Sequence, residues 1–127
     1  MTGLRITDFA TDRVEAIVWA QALLARTDWC ILDTETTGVN VATAQIVQIG
    51  VLAPSGRVLL DTLVRPPVRI PASATAIHGI DDAAVGSAPG FADVYPRLVE
   101  AVCGRWVIIY NRAYDFGLLS RLGRAAG

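Results

Sequence analysis

The chain has 127 residues, 53% of them hydrophobic, with a formal net charge of -1 and an isoelectric point near 5.7. That length and composition call for one domain with an ample core; they exclude a disordered chain, and the charge excludes duplex binding by a global basic surface. The longest apolar runs, Val107-Ile108-Ile109 among them, are too short to cross a bilayer, and Met1-Thr2-Gly3-Leu4-Arg5 lacks a signal pattern, so the expectation is a cytoplasmic protein with no membrane partner.

Residues 1–28 read as an N-terminal helical extension and residues 29–127 as the main domain. In the extension Asp12 stands as a helix cap with Glu15 three residues on, in the capping-box position. Val14, Ile17, Val18, Leu24 and Ala25 recur at helical spacing, which predicts a helix docked on the core, or else a face for a partner.

Trp29-Cys30-Ile31-Leu32 is a short, bulky apolar run and predicts a buried strand, continued by Asp33-Thr34-Glu35-Thr36-Thr37-Gly38. Strand side chains alternate, so Asp33 and Glu35 share one face about 7 Å apart. Two like charges at a strand end repel, and a divalent cation relieves the repulsion. The plain alternative is that both carboxylates end the strand in water.

Residues 45–53 and 57–64, joined by Pro54-Ser55-Gly56, predict a hairpin that extends the first strand into an antiparallel meander. Arg65-Pro66-Pro67 stops it, because proline cannot donate to a ladder. Residues 68–90 read as a loop, with Asp81-Asp82 capping a single helical turn. A helix is predicted over residues 91–102, disturbed by Pro96 and ended by Gly104, then a strand over 106–110 parallel to the first. A last helix, capped by Asn111, should close at Gly123. Asp115 lies three, four and seven residues before Leu118, Leu119 and Leu122, so it points inward with them at the strand ends where α/β sheets place their sites. Its plain alternative is a carboxylate that complements the helix dipole.

Cys30 and Cys103 have no metal-ligand spacing and read as reduced core thiols. All eleven basic residues are arginine, a planar phosphate binder where it clusters. Arg112, Tyr114 and Arg121 are candidates for a single-strand track.

Four ordered segments resemble the DnaQ-like (DEDD) 3′-to-5′ exonucleases, which include polymerase proofreading subunits. They are Ile31-Leu32-Asp33-Thr34-Glu35-Thr36-Thr37-Gly38, Ile46-Val47-Gln48-Ile49-Gly50, Ala74-Thr75-Ala76-Ile77-His78-Gly79-Ile80, and Val107-Ile108-Ile109-Tyr110-Asn111-Arg112-Ala113-Tyr114-Asp115. The resemblance implies an α/β, ribonuclease H-like mixed sheet: a three-stranded antiparallel meander plus a parallel fourth strand, with flanking helices. It implies that Asp33, Glu35 and Asp115 are catalytic and hold two Mg²⁺ or Mn²⁺ ions within mutual reach, and that Thr36 and His78 contact the 3′-terminal nucleotide of a single-stranded DNA or RNA. Paired hard cations at roughly 3.5–4 Å activate a water and stabilise the leaving oxygen.

The sequence departs from the family at Ser73, where relatives often carry an acidic residue, and it ends at Gly127 before a third motif, a His or Tyr with a fourth carboxylate. The expectation is therefore an exonuclease domain truncated at its C-terminus, feebly active alone, with the sheet edge exposed and the site completed by a missing segment or a second chain. His78, the single histidine, is an alternative general base. Two other readings use the same residues: a catalytically degenerate nucleic-acid-binding or scaffold module, and a small hydrolase of free nucleotides.

Overall fold

The computed structural model describes residues 9–127. Helix α1 (Phe9–Leu24) leads into strand β1 (Trp29–Thr36), the hairpin β2 (Ile46–Leu52) and β3 (Val58–Leu63), and helices α2 (Ala72–His78) and α3 (Phe91–Val102). Strand β4 (Trp106–Ile108) and helix α4 (Arg112–Ala126) complete it. The sheet order is β3-β2-β1-β4, with β1 antiparallel to β2, β2 antiparallel to β3, and β4 parallel to β1 in the register Trp29 to Trp106. The mixed sheet expected from the sequence is present. Strand β4 stops at Ile108, two residues early, and is an edge on which Trp106 is 66% exposed.

One face of the sheet carries Cys30 and Leu32 of β1 with Ile49 and Val51 of β2, and packs against Val94 and Leu98 of α3 and Leu118 and Leu122 of α4. Burial of such side chains is worth about 1.5–3 kcal/mol each, which fixes both helices on this face. Cys30 is a core thiol whose pKa burial raises, whereas Cys103 is exposed rather than part of the core.

A bulge at the far end of β2 builds a second, smaller core. Glu35 pairs with Gln48 but Thr36 pairs with Ile46, so Val47 is the extra residue. An inserted residue reverses the strand's in-out alternation. Ile46 therefore turns into the α3/α4 core, while Val47 packs with Ile70, Ala74, Ile80 and Val85. That cluster anchors α2, which the sequence reading left as loop. The helix is only seven residues long and buries only Ala74, so it has no hydrophobic period to detect; Pro71 before it and Gly79 after it, at φ 75°, are the signal available.

Four further expectations are corrected. Asp12 lies inside helix α1, which covers Phe9–Leu24 of the described residues, rather than capping it. Its apolar stripe does not dock: Val14, Ile17, Val18 and Leu24 are 60%, 46%, 58% and 74% exposed. Helix α4 runs through Gly123 to Ala126, and Asn111 precedes it without a side-chain cap. Gly123 instead permits close helix packing, since a Cβ there would lie 3.0 Å from Tyr95 Cε2. Pro96 lies inside α3 without ending it. Among the described residues, no helix is long and apolar enough to cross a membrane.

Candidate active site

Alternation along β1 sorts its polar end into two sets. Asp33 is exposed and Glu35 half-buried on the face opposite Cys30 and Leu32, and among the described residues neither carboxylate has a hydrogen-bonding or ionic partner. Thr34 and Thr36 point to the other side, where the first turn of α4 receives them. Thr34 Oγ1 donates to Asp115 Oδ1 at 2.6 Å. Tyr114 OH lies 2.9 Å from Thr36 Oγ1 and also donates to the Gly38 carbonyl, which accepts the Thr36 hydroxyl at 2.8 Å.

Asp115 thus points inward with Leu118 and Leu122, as its spacing predicted, and is 6% exposed. Its hydrogen-bond partner on β1 is the Thr34 hydroxyl. Among the described residues no group of three His, Cys, Asp or Glu side chains is placed to hold a metal ion. Thr34 stands between Asp33 and Glu35 and presents its hydroxyl to α4, so the β1 residue that Asp115 meets belongs, by alternation, to the face opposite the acidic pair.

His78 closes α2 against the end of β1. Its Nδ1 accepts the Ile80 N–H at 3.1 Å, and its Nε2 lies 3.0 Å from the Thr36 carbonyl. An N–H only donates and a carbonyl only accepts, so this pairing requires the neutral tautomer with its proton on Nε2. Neither ring nitrogen is left to take a proton from water, and the alternative of His78 as general base has no support in this geometry.

The loop after β1 is closed by Thr37, whose N–H donates to the Gln45 carbonyl and whose Oγ1 accepts the Gln45 N–H, both at 2.9 Å. Between this loop and α2 lies a cleft with Glu35, Thr36 and Gly38 on one side and Ser73, Ile77 and His78 on the other. Val39 and Ile77 at this cleft are 91% and 84% exposed, two apolar side chains that core packing does not account for. Sequence reasoning did not single them out: Ile77 is an isolated aliphatic residue in a segment read as loop, and Val39 lies in a stretch for which no element is predicted.

Of the proposed single-strand track, Arg121 donates to the Ala44 carbonyl and Tyr114 to Gly38, so both serve the fold. Arg112 is exposed and stands 5.7 Å from the Phe116 ring centroid.

Asp33 and Glu35 suit a hard divalent cation: oxygen donors only, on one face, unpaired and open to solvent. Mg²⁺ in particular is commonly bound by one or two carboxylates together with waters and substrate phosphate rather than by an all-protein cage.

A sheet of this order carrying an acidic pair at the end of its first strand is the frame of a nuclease of the ribonuclease H-like fold. A family model described as exonuclease (RNase_T) matches residues 30–122, and the chain belongs to that family. It is 39% identical over 100 residues to the uncharacterized exonuclease CP81 of Escherichia phage 186, covering 79% of this chain and 51% of that protein. A DNA polymerase III subunit epsilon-like protein of Rhodobacter capsulatus is 37% identical over 108 residues, covering 80% of this chain and 15% of its own. The chain thus spans about half or less of these curated relatives. Among solved structures, exonuclease X in complex with 5′ overhanging duplex DNA matches with TM-score 0.58 and 31% identity over 71% of this chain and 52% of that one. Exonuclease I of E. coli in complex with a dA16 oligonucleotide matches with TM-score 0.68 over 80% of this chain and 24% of that one, at 16% identity, a likeness of fold.

Proposed function

We propose that this chain hydrolyses the terminal phosphodiester bond of a single-stranded nucleic acid at its 3′ end, using Mg²⁺ or Mn²⁺ held at Asp33 and Glu35. The observation that carries this reading is the unpaired acidic pair on one face of β1, with Glu35 itself lining the cleft that Val39 and Ile77 flank. When bound, the cation supplies charge stabilisation at the scissile phosphate and lowers the pKa of a coordinated water. An anionic strand then approaches an acidic protein because the local charge is inverted.

The chain's own residues bind and orient. Val39 and Ile77 offer apolar surface to the terminal base, and the cleft between them limits how that nucleotide can lie. Thr36 and His78 form the inner wall, His78 by pinning the Thr36 carbonyl to the end of α2. Asp115 acts from behind the strand, through Thr34. A second chain or further segment is the proposed source of the general base, since His78 has no free nitrogen.

The test is degradation of a single-stranded oligonucleotide labelled at its 5′ end, with and without Mg²⁺ or Mn²⁺. A ladder shortened from the 3′ end, lost on chelation and in Asp33→Ala, is expected, at low rate for the chain alone. General bases typically contribute about 10²–10⁴-fold, so complementing the site should raise the rate by that order. Oligonucleotide binding with no hydrolysis under any of these conditions would favour the degenerate binding module instead.

A further inference from the structure

Tyr114 is a residue that the exonuclease reading does not use, yet its hydroxyl sits in a polar cluster with Thr36 and Gly38 at the end of β1. It lies 2.9 Å from Thr36 Oγ1 and donates to the Gly38 carbonyl, to which Thr36 also donates. Three oxygens thus share two hydroxyl protons, and a carbonyl with two lone pairs accepts both. The ring is half-buried and packs against the main core, so the hydroxyl is carried by a fixed element. Its neighbour Asp115 makes the second tie, to Thr34. Two consecutive residues of α4 therefore grip two alternate residues of β1, and the residue between those two is Glu35.

We propose that Tyr114 is a positioning residue of the exonuclease site: its hydroxyl latches the Thr36–Gly38 turn to α4 and so fixes Glu35 and the adjoining cleft wall. This rests on the exonuclease reading of that cleft. Tyr114 touches no substrate; it acts through Thr36 and Gly38. The Thr37 N–H, which bonds the Gln45 carbonyl at 2.9 Å, lies inside the latched turn and reports on its opening.

Tyr114→Phe keeps the ring and removes the hydroxyl. Misplacement of a reacting group by a fraction of an ångström to 1 Å is costly, so kcat on a single-stranded oligonucleotide should fall about tenfold or more. KM should stay within about twofold, because no direct substrate contact is lost. Amide exchange at Thr37 should quicken while the amides of β2 and β3 stay protected. Thr36→Val removes the other hydroxyl, and the double variant should be no worse than the more damaging single one, since both act through one cluster. An active wild-type protein whose Tyr114→Phe variant keeps full kcat overturns the latch, as do additive losses in the double variant. If the wild type proves inactive, the exonuclease reading fails instead, and the latch stands or falls on Thr37 exchange alone, with unchanged protection counting against it.

Discussion

The Thr34 hydroxyl donates a 2.6 Å hydrogen bond to Asp115 Oδ1, joining residues 81 apart in sequence across the inner face of the sheet. Among the described residues Asp115 and Thr37 are the buried polar or charged ones, and the Asp115 carboxylate takes its side-chain hydrogen bond from Thr34. A charged hydrogen bond in that setting is worth more than a neutral one, and its loss leaves a buried group unsatisfied.

Asp115→Ala should therefore cost about 1–3 kcal/mol in urea unfolding, and Thr34→Val, which strands the carboxylate, at least as much. The double variant should show a coupling of about 0.5–3 kcal/mol. Strictly additive losses would mean that the two side chains stabilise the fold independently.

A cation titration tests whether the acidic pair binds without Asp115. Mg²⁺ or Mn²⁺ should raise the melting temperature by mass action, by an amount equivalent to about 2.7 kcal/mol at a hundredfold excess over Kd. Asp33→Asn should abolish the rise, and Asp115→Asn should retain it despite a lower starting stability. Loss of the cation response in Asp115→Asn alone would return Asp115 to the ligand set.

Two glycines of α4 should respond oppositely to alanine. A Cβ at Gly117 would lie 3.0 Å from Cγ2 of Val41, a loop side chain that is 39% exposed and free to turn away. Gly117→Ala should then gain up to about 0.8–1.0 kcal/mol of helix propensity. At Gly123 the Cβ would meet two ring carbons and the hydroxyl oxygen of Tyr95 at 3.0–3.2 Å, and that ring is held by Phe91 at a centroid distance of 5.8 Å. Overpacking costs about 1–3 kcal/mol and outweighs propensity, so Gly123→Ala should lower the unfolding midpoint.

The exposed stripe on α1 makes a prediction about solubility rather than stability. Val14→Glu with Val18→Lys should leave the unfolding free energy within about 0.5 kcal/mol, as surface substitutions do, while reducing concentration-dependent association seen by light scattering. A loss of several kcal/mol would show that this stripe is buried in the folded protein.

The sequence by itself determined the sheet and the face that Asp33 and Glu35 share on its first strand. Buried strands and a proline-stopped hairpin leave local marks, so β1, β2 and β3 fall close to where the residues place them. The family segments lie in order along one stretch, and the inward aim of Asp115 follows from its spacing to Leu118 and Leu122 within a single helix. What the tertiary structure decided is which groups meet. Alternation shows that Asp33 and Glu35 share a face, but it cannot say that Thr34 and Thr36, on the opposite face, are the residues that Asp115 and Tyr114 reach. That outcome depends on how α4 docks, and on where the bulge at Val47 reverses the strand and anchors α2 beside the site. A bulge and a seven-residue helix gain their stability from packing between distant segments, so neither carries a periodic signal of its own. The same reason governs α1: its apolar stripe is written locally, but whether a stripe docks depends on a complementary surface elsewhere in the fold, and here the stripe faces solvent.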